Sequence, residues 1–452
     1  MGPLYQQIAD DGSLRRFGEE IEPGDPSGWP GYPARLRRAR DATGVRHAVT
    51  TGLAAVAGEP CVMIGFDFSF LGGSVGVAEG ARIARAFSAA VTERLPVVCA
   101  AASGGSRMQE GTSALLQMQA VAAAVAAARR AHIPYVAVAG DPTTGGVWAS
   151  LVAGADLVFG VPGARVSFSG SRTRPAGGNP FSDEYLAEAK WSRGFIDALV
   201  PPDRLRAEVA AALRLLSPRS RGNVPGPAPP PGWPAGTAED GGADSLSGTA
   251  QVARARGPGR ARADRWLAGY FERAPRLEIR GDRCGGVDTG LRCGFGRHDG
   301  ATIGYIAQTG ARTTPAGFRT ANRLITLATR LRLPVITLID TPGAAAAPAD
   351  EAAGVGSAMA ELFVAVASGE VPITSVVIGE GVSGGALALA SPDNLWIASD
   401  AYLAVTAPEM AAAILKLGPD DIKAVTERLR LTPAELMARG IVRGILRPPG
   451  TR

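Results

Sequence analysis

Residues 95–168 decide the fold, because they hold two apolar runs that each lead into a glycine pair: PVVCAAASGG at 96–105 and PYVAVAGDPTTGG at 134–146. An Ala-rich segment separates the two runs. Short apolar runs bounded by glycine and proline are typical of buried strands, and a long Ala-rich segment is typical of a helix. The stretch therefore predicts a strand, a Gly-rich loop and a helix, followed by the same three elements again.

The two glycine pairs, Gly104-Gly105 and Gly145-Gly146, are candidate catalytic residues because of what their backbone can do. Glycines at a strand-to-helix junction let main-chain N–H groups approach a ligand closely, at the positive end of the next helix. Such groups suit an oxygen that gains negative charge, as a thioester oxygen does when an enolate forms. Glycine pairs also mark ordinary tight turns, so one pair alone leaves both interpretations open.

The pattern recurs in the second half of the chain. Pro96 and Pro134 open the two runs of the first half and are 38 positions apart, and Pro334 and Pro372 open two similar runs that are again 38 positions apart. The last of these runs leads into Gly384-Gly385. In both halves a short apolar run that begins with Asp follows the glycine pair. The sequence therefore predicts two copies of one fold in one chain.

Length and composition favour a globular protein of two or three domains. The chain has 452 residues and a net charge of +5, and nearly all of its basic side chains are arginine. It shows no nucleic-acid motif, no cysteines with metal-ligand spacing and no apolar run long enough to cross a membrane. The first residues do not form a signal peptide. We therefore expect a cytoplasmic protein that binds no nucleic acid, no membrane and no metal.

Six motifs resemble the biotin-dependent acyl-CoA carboxylase carboxyltransferases of the crotonase-like (ClpP/crotonase) superfamily. The first half is similar to the beta subunit of bacterial acetyl-CoA carboxylase through DFSFLGGS at 67–74, SGGSRMQEG at 103–111 and DPTTGGV at 141–147. The second half is similar to the alpha subunit through IDTPGA at 339–344, VIGEGVSGGALA at 377–388 and APE at 407–409. The resemblance covers most of residues 50–445.

The resemblance implies an α/β chain of two tandem crotonase-like (ββα-superhelix) domains. We predict an N-terminal arm at 1–45, a beta-type carboxyltransferase domain on the acyl-CoA side at 46–217, a Pro/Gly-rich linker at 218–262 and an alpha-type carboxyltransferase domain at 263–452.

The resemblance also implies roles for particular residues. The catalytic set comprises Gly104, Gly105, Gly145 and Gly146, as an oxyanion hole for the thioester oxygen, and Gly384, Gly385 and Ala386, as a second hole for the ureido oxygen of biotin. The substrate-binding set comprises Gly72, Gly73, Ser74, Arg107 and Gly343. Arg107 has an alternative role as the support of its own loop.

The implied reaction moves a carboxyl group between carboxybiotin and the α-carbon of an acetyl or acyl thioester, with a malonyl-type product. Backbone groups would stabilise the enolate, and none of His47, His132 and His298 has the sequence context of a catalytic triad. The implied cofactors are a coenzyme A thioester, as substrate, and biotin carried on a separate protein. The implied partners are a biotin carboxylase, a biotin carrier protein and further copies of this chain, as a homodimer or higher homo-oligomer.

The sequence departs from the family pattern in three places. It has no N-terminal four-cysteine zinc ribbon, none of its lysines lies between methionines as a biotin attachment site requires, and the loop after Gly343 continues as Ala344–Pro348 without the usual aromatic residue and further Pro-Gly. The changed loop keeps an alternative open: a biotin-independent decarboxylase of malonyl-CoA or malonyl-acyl carrier protein. A non-catalytic assembly partner is a third hypothesis, against which the intact glycine pairs argue.

Overall fold

The computed structural model describes residues 2–18, 20–170, 182–217, 235–236 and 246–449. The chain divides into two compact units. The first comprises Met1–Ser220 with Arg283–Gly285, and the second comprises Arg221–Asp282 with Gly286–Arg452. Each unit has a sheet of its own whose central strands are parallel, so the predicted α/β class is confirmed.

The first unit consists of one sheet and the helices around it. Its elements are α1 Leu4–Ile8, β1 Arg15–Arg16, α2 Tyr32–Thr43, β2 Val49–Val56, β3 Glu59–Phe66, α3 Val77–Glu93, β4 Val97–Ser103, α4 Gly111–Arg130, β5 Tyr135–Thr144, α5 Gly145–Val147, β6 Leu157–Gly160, β7 Val166–Ser167, α6 Ala187–Ser192, β8 Ala198–Leu199 and α7 Leu205–Leu216. The strand order is β1-β2-β3-β4-β5-β6-β8, with β7 beside β5. The hairpin β2–β3 is antiparallel, and β3 to β6 run parallel.

Strands β4 and β5 form the centre of this sheet. Every residue of β4 is buried, and so is the first part of β5. Helices α3 and α4 contribute Ile83, Phe87, Val121 and Val125 to the same core. A parallel strand that is buried on both faces appears as a continuous apolar run rather than as an alternating pattern. This is why both strands could be predicted from sequence.

The first 45 residues, predicted to form an irregular arm, are instead folded onto the first unit. Helix α1 buries Tyr5 and Ile8 and contacts β3, and β1 pairs with the edge of β2. Helix α2 buries Tyr32 and Leu36 in a small core that includes Phe70. Helices α1 and α2 each bury only two side chains, and β1 consists of two exposed arginines. The sequence pattern was therefore too sparse to indicate them.

One stretch of the described residues, Met108–Arg130, is long and apolar enough to cross a membrane by length and composition alone. No such segment is predicted from the sequence. The stretch comprises a 3-10 turn at Met108–Glu110 and helix α4, and its inward side chains, such as Val121 and Val125, belong to the core of the first unit. A helix that packs on a sheet within a folded domain meets the same criterion, so this feature is weak evidence for a membrane span.

The second unit is built in the same way. Its elements are β9 Ala235–Gly236, α8 Gly248–Arg256, α9 Ala263–Tyr270, β10 Leu277–Ile279, β11 Leu291–His298, β12 Ala301–Gln308, α10 Pro315–Leu331, β13 Val335–Thr341, α11 Pro348–Ala352, α12 Val355–Ala367, β14 Ile373–Val382, α13 Ser383–Leu387, β15 Leu395–Ala398, β16 Tyr402–Ala404, α14 Pro408–Ile414, α15 Ile422–Arg428, α16 Pro433–Ala438 and β17 Ile445–Leu446. The strand order is β10-β11-β12-β13-β14-β15-β17-β9, with β16 beside β14.

Elements of the first unit recur in the second at one of two similar spacings. Helix α3 and strands β4, β5 and β6 recur with unchanged lengths as α10, β13, β14 and β15, each 238 positions later. The hairpin β2–β3 recurs as β11–β12 at a spacing of 242 positions. The connection before α3, which carries Gly72 and Gly73, is therefore longer by four residues in the first unit than in the second.

Residues 246–262, predicted to be the end of a linker, belong to the second unit. Ser247 caps helix α8, because its hydroxyl accepts a hydrogen bond from the N–H of Ala250. Gln251 of the same helix donates to the carbonyls of Ser399 and Ala401, at 3.1 and 2.8 Å. The predicted linker therefore contains a packed helix. The rest of it, residues 218–245, lies outside the described residues apart from β9.

Candidate functional site

The two glycine pairs of the first unit lie side by side, after the neighbouring parallel strands β4 and β5. Gly105 and Gly145 have φ angles of 105° and 64°, which glycine adopts without strain. A Cβ atom added to Gly105 would lie 3.5 Å from Cα of Gly145 and 3.7 Å from the backbone nitrogen of Gly146. Ligands of open parallel sheets bind outside the carboxyl ends of the strands. The structure thus brings together two loops that the sequence singled out.

The first pair has its backbone N–H groups engaged within its own loop. Gly104 donates to the carbonyl of Gly72 at 2.9 Å, and Gly105 donates to the hydroxyl of Ser103 at 3.1 Å. These bonds shape the loop and use the two donors that we predicted for the oxyanion hole. A different residue of this loop is therefore the candidate for donating a backbone N–H to a ligand.

Ser106 is that residue, and the sequence did not single it out. Its neighbours on both sides pair with Val75, through the carbonyl of Gly105 and the N–H of Arg107, each at 2.9 Å. In a parallel pairing of this kind, the residue between the two bonded residues directs its own N–H away from the partner strand. The N–H of Ser106 is therefore directed away from Val75. The side chain of Ser106 also approaches Gly146, where an added Cβ would lie 3.5 Å from its hydroxyl oxygen.

The second pair has its N–H groups at the beginning of a helix. Gly145 and Gly146 open α5, which continues as a π-turn at Trp148–Val152. The first N–H groups of a helix have no acceptor inside it, and they carry the positive end of its dipole. The N–H groups of Gly145 and Gly146 are therefore candidate donors to a ligand, together with that of Ser106.

Gly73 and Ser74, predicted to bind substrate, contact the neighbouring glycine loop. The hydroxyl of Ser103 donates to the carbonyl of Gly73 at 2.6 Å, and a Cβ atom on Gly73 would collide with the carbonyl of Ala102. The carbonyl of Ser74 accepts from Nη2 of Arg107 at 2.6 Å, and its hydroxyl accepts from Nε at 3.2 Å. These contacts are those of a supporting loop, so a direct role in substrate binding stays a prediction.

Arg107 lies in a buried cluster and is 1% exposed. Its guanidinium contacts Glu79 at 2.7 Å, Glu110 at 3.1 Å and the hydroxyl of Tyr32 at 3.3 Å, and it lies over the ring of Phe70. Burial would lower the pKa of Arg107, but the charge of Glu79 and the contact with Tyr32 raise it overall. The geometry favours the alternative role of Arg107, the support of its loop, over direct contact with a substrate.

The second unit holds equivalent loops after β13 and β14. Gly343 has a φ of 125° and follows β13, and Gly385 lies in α13. A Cβ atom on Gly385 would collide with the backbone of Gly343 and Ala344. The N–H of Gly343 donates to the hydroxyl of Thr341 at 3.1 Å, which is the same bond that holds the equivalent glycine of the first unit. The predicted site residues of the second unit are therefore also brought together.

Ser383 takes the place of the first glycine of the pair. It is the residue 238 positions after Gly145, and its φ of 60° matches the 64° of that glycine. Gly384 and Gly385 follow within the first turn of α13, where N–H groups lack intrahelical acceptors. Ala386 is the fourth residue of this helix, and an N–H at that position ordinarily bonds within the helix. The helix geometry thus favours Gly384 and Gly385 over Ala386 as donors.

Gln308 links the loops that follow β13 and β14 through hydrogen bonds of its side chain. It was not identified as a functional residue from the sequence. Its side chain is fully buried, and its amide nitrogen donates to the hydroxyl of Thr313 at 2.9 Å and to the carbonyl of Gly385 at 3.0 Å. Its amide oxygen accepts from the N–H of Asp340 at 3.2 Å. The equivalent residue of the first unit is Phe66, so this device is confined to the second unit.

Two acidic side chains of the second unit, Asp340 and Glu380, also act as loop supports. Asp340 is buried and accepts from Nη2 of Arg260 at 2.6 and 2.7 Å, and from the N–H of Glu380 at 3.1 Å. Glu380 accepts from Nε of Arg256 and from the hydroxyl of Tyr402, each at 2.8 Å. The described residues contain no group of three His, Cys, Asp or Glu side chains that could hold a metal ion.

Two family profiles match the chain. One is described as a carboxyl transferase domain and matches residues 28–174, and the other is described as acetyl co-enzyme A carboxylase carboxyltransferase-like and matches residues 240–451. The beta/alpha carboxyl transferase subunits of acetyl-CoA carboxylase from Salinispora tropica are 38% identical to this chain over an alignment of 465 positions, which covers 98% of this chain and 81% of that protein. The chain belongs to the acetyl-CoA carboxylase carboxyltransferase family. The predicted family and enzyme class are thereby confirmed.

Further relatives of this carboxyltransferase include a probable biotin-dependent acyl-CoA carboxylase beta3 subunit from Mycobacterium tuberculosis, 34% identical, with 91% of this chain and 82% of that protein covered. Among solved structures, transcarboxylase 12S with hydrolyzed methylmalonyl-CoA bound has a TM-score of 0.79 at 21% identity, over 98% of this chain and 86% of that one. A single-chain, multi-domain long-chain acyl-CoA carboxylase has a TM-score of 0.77 at 20% identity, over 98% of this chain and 44% of that one. At such identities the likeness concerns the fold.

Sequence reasoning about this carboxyltransferase found the glycines and missed the polar residues behind them. Glu79 offered a signal, because a glutamate three residues into a helix commonly reaches back to its first N–H groups, and Glu79 accepts from the N–H of Gly76 at 3.1 Å. Tyr32 and Gln308 offered none. Each is an isolated polar side chain whose partners come from distant segments.

Proposed function

We propose that this chain is the carboxyltransferase component of an acyl-CoA carboxylase. It would move a carboxyl group between biotin, carried on a separate protein, and the α-carbon of an acyl thioester. One observation carries the proposal: in each unit a loop after one parallel strand lies against the loop after the next strand, Gly105 against Gly145 in the first unit and Gly343 against Gly385 in the second. A transfer between two substrates uses one oxygen-stabilising site for each, whereas a decarboxylation uses a single site.

On the acyl side, the N–H groups of Ser106, Gly145 and Gly146 would bind the thioester oxygen. This oxygen becomes negative when the α-carbon becomes an enolate carbon. Fixed donors bind that charged state more strongly than the neutral thioester, and they lower the barrier by the difference. The loss of one such donor typically slows a reaction by about 10²–10³-fold.

On the biotin side, the N–H groups of Gly384 and Gly385 would bind the ureido oxygen. Bound biotin would supply the activated carboxyl group. The residues present fit this ligand, because the donors lie in the first turn of α13. Gln308 would hold the donor segment in place through the carbonyl of Gly385.

The loop Ala344–Pro348 favours a second candidate, a biotin-independent decarboxylase of malonyl-CoA or malonyl-acyl carrier protein. Alanines stand in Ala344–Ala347 where the family pattern has an aromatic residue that helps to shape the biotin side, and Ala346 and Ala347 are exposed. A decarboxylase would need the enolate-stabilising donors of the first unit only.

Turnover of malonyl-CoA by the purified chain separates the two candidates. Acetyl-CoA is measured by mass spectrometry. We expect the chain alone to form little of it, and we expect rapid formation once free biotin or a biotinylated carrier protein is added. Rapid turnover in the absence of any biotin would contradict the carboxyltransferase and support the decarboxylase. Boiled protein and a biotin-only sample are the controls.

The partners follow from the same proposal. The chain would depend on a biotin carboxylase and a biotin carrier protein, as the description of its relative as a biotin-dependent carboxylase subunit suggests. We also propose a homodimer or higher homo-oligomer, since the transcarboxylase 12S with the same fold is described as a hexamer assembly. The substrate would be an acyl-CoA or an acyl carrier protein thioester.

A further inference from the structure

Four buried polar side chains meet behind the loop that carries Gly105. They are Tyr32 of α2, Glu79 of α3, Arg107 and Glu110, and none is more than 1% exposed. The hydroxyl of Tyr32 donates to Oε1 of Glu110 at 2.5 Å, and Nη1 of Arg107 donates to the same oxygen at 3.1 Å. Nη2 of Arg107 contacts Glu79 at 2.7 Å.

We propose that Tyr32 is a positioning residue for the acyl-side loop, acting through Glu110 and Arg107 and not by contact with substrate. The proposal rests on the proposed function of that loop as a donor to the thioester oxygen. It assigns a role in the reaction to the N-terminal segment, which would otherwise appear to be only a packed extension of the first unit.

The charges of the cluster explain why a hydroxyl is needed. One guanidinium faces two carboxylates, so the second carboxylate depends on neutral donors. Glu110 has two of them: the hydroxyl of Tyr32 on Oε1 and the N–H of Val77 on Oε2, at 2.6 Å. Burial raises the pKa of Tyr32, so the hydroxyl keeps its proton. A buried carboxylate that loses a donor is destabilised, and its surroundings shift to compensate.

Such a shift would reach the glycine loop directly. Arg107 is joined to the first-unit loops at both its side chain and its backbone: Nη2 donates to the carbonyl of Ser74 at 2.6 Å, and its N–H donates to the carbonyl of Val75 at 2.9 Å. It follows Ser106, the candidate donor. Active-site groups need to be held within about 0.5 Å of their productive positions, so a small displacement of Arg107 is enough to lower the rate.

The attachment of α2 supports this role. Tyr32 and Leu36 are the two buried residues of this helix, and several of its arginines face solvent. Tyr32 is the first residue of the helix, and Gly31 before it has a φ of 75° that turns the chain into this position. The hydroxyl of Tyr32 is therefore the polar contact through which α2 reaches the loop.

The test replaces Tyr32 with phenylalanine, which removes the hydroxyl and keeps the ring. The matched control is Tyr5→Phe, another buried tyrosine of the N-terminal segment, whose hydroxyl has, within the described part of the chain, a single long contact of 3.5 Å with the side-chain amide of Gln6. We expect Tyr32→Phe to lower kcat for carboxyl transfer by about tenfold with KM for the acyl thioester changed less than about twofold, because a misplaced donor weakens binding of the transition state more than that of the substrate. Tyr5→Phe should leave both constants unchanged.

Two further measurements separate positioning from a general loss of structure. In an E110Q background, Tyr32→Phe should change kcat by less than about twofold, because the carboxylate through which it acts is gone. Amide hydrogen exchange at residues 103–107 should be faster in Tyr32→Phe than in Tyr5→Phe or the wild type. Equal exchange and equal kcat in the two phenylalanine variants would overturn the proposal, and so would a loss of kcat that matches the loss of folded protein. Exchange is independent of turnover, so an inactive wild type would overturn the proposed function while exchange still decided the role of Tyr32.

Discussion

Gly145 and Ser383 occupy equivalent positions in the two units and adopt the same left-handed backbone, with φ angles of 64° and 60°. A residue with a side chain pays about 1–2 kcal/mol for this conformation, whereas glycine does not. The second unit thus keeps a strained serine where the first has glycine. Strain of this kind persists where the surrounding structure over-determines the backbone, and it is concentrated at functional sites.

Gly145→Ala tests the acyl-side donors. The added Cβ would lie 3.3 Å from Cα of Gly105 and would be held at a positive φ. We expect a loss of about 1–2 kcal/mol in the free energy of unfolding and a loss of about 100-fold in kcat, measured by urea unfolding and by carboxyl-transfer kinetics. The control is Gly154→Ala in the same unit, where an added Cβ meets nothing within 4 Å. A fully active Gly145→Ala enzyme would contradict the role of this loop.

Gln308→Leu tests the biotin side. The change leaves the N–H of Asp340 and the carbonyl of Gly385 without their side-chain partner, and we expect a loss of about 2–4 kcal/mol in the free energy of unfolding. Gln251→Leu is the matched control, because this buried glutamine also donates two hydrogen bonds to carbonyls within the second unit. Both variants should be destabilised, and only Gln308→Leu should show a higher KM for the biotin substrate. Equal KM values would show that Gln308 serves stability alone.

At the scale of elements, helix α8 is joined to α14 and β14 through ion pairs of Arg256. Its Nη1 donates to Glu409 at 2.6 Å and its Nε to Glu380 at 2.8 Å. The hydrogen bonds from Arg256 hold the pKa of Glu409 below its ordinary value of 4.5, although partial burial raises it. The pair therefore stabilises the fold fully above about pH 4.5, and this stabilisation is lost as the pH falls through the lowered pKa.

The Glu409→Gln variant should show this dependence. Both side chains are partly exposed, so we expect the wild type to exceed the variant by less than about 1 kcal/mol in the free energy of unfolding from about pH 5 to pH 8. In urea titrations the difference should shrink as the pH falls below about 4.5 and through the lowered pKa of Glu409. Glu351→Gln in α11 is the control, because Glu351 forms no ion pair within the described part of the chain. A difference that grows toward low pH would contradict the assignment.

The elements that could be predicted from sequence are those that carry their own periodic signal. Strands β4, β5, β13 and β14 are of this kind, because each contains a continuous apolar run. Helices α2 and α8 were missed, because their burial depends on partners far along the chain and not on their own composition. The site divides in the same way. Glycine pairs can be recognised in the sequence as candidate sites of backbone N–H donors. Tyr32 and Gln308 have roles that depend on contacts with residues far along the chain, which the sequence does not indicate.

At the scale of the whole molecule, each unit has its own sheet and its own core, and in the described residues no strand of one sheet pairs with a strand of the other. Domains of this kind can fold by themselves. We therefore expect residues 1–217 and 246–452, produced as two polypeptides, each to unfold cooperatively with the circular dichroism of an α/β protein. The first fragment should be less stable than its counterpart in the full chain, because it lacks Arg283, which pairs with Asp197 at 2.5 Å. An unfolded second fragment would contradict this expectation.

The recurrence of the same elements in the two units has a consequence for how the protein tolerates substitutions. If positions 238 residues apart have the same backbone and the same neighbours, a saturation-mutagenesis map of one half forecasts the map of the other. The two maps should diverge where the copies have different residues, as at Gly145 and Ser383, and at Phe66 and Gln308 across the hairpin spacing of 242. A growth selection on the variants would then separate two kinds of position. Positions required by the fold would be sensitive in both halves, and positions required by one substrate would be sensitive in one half.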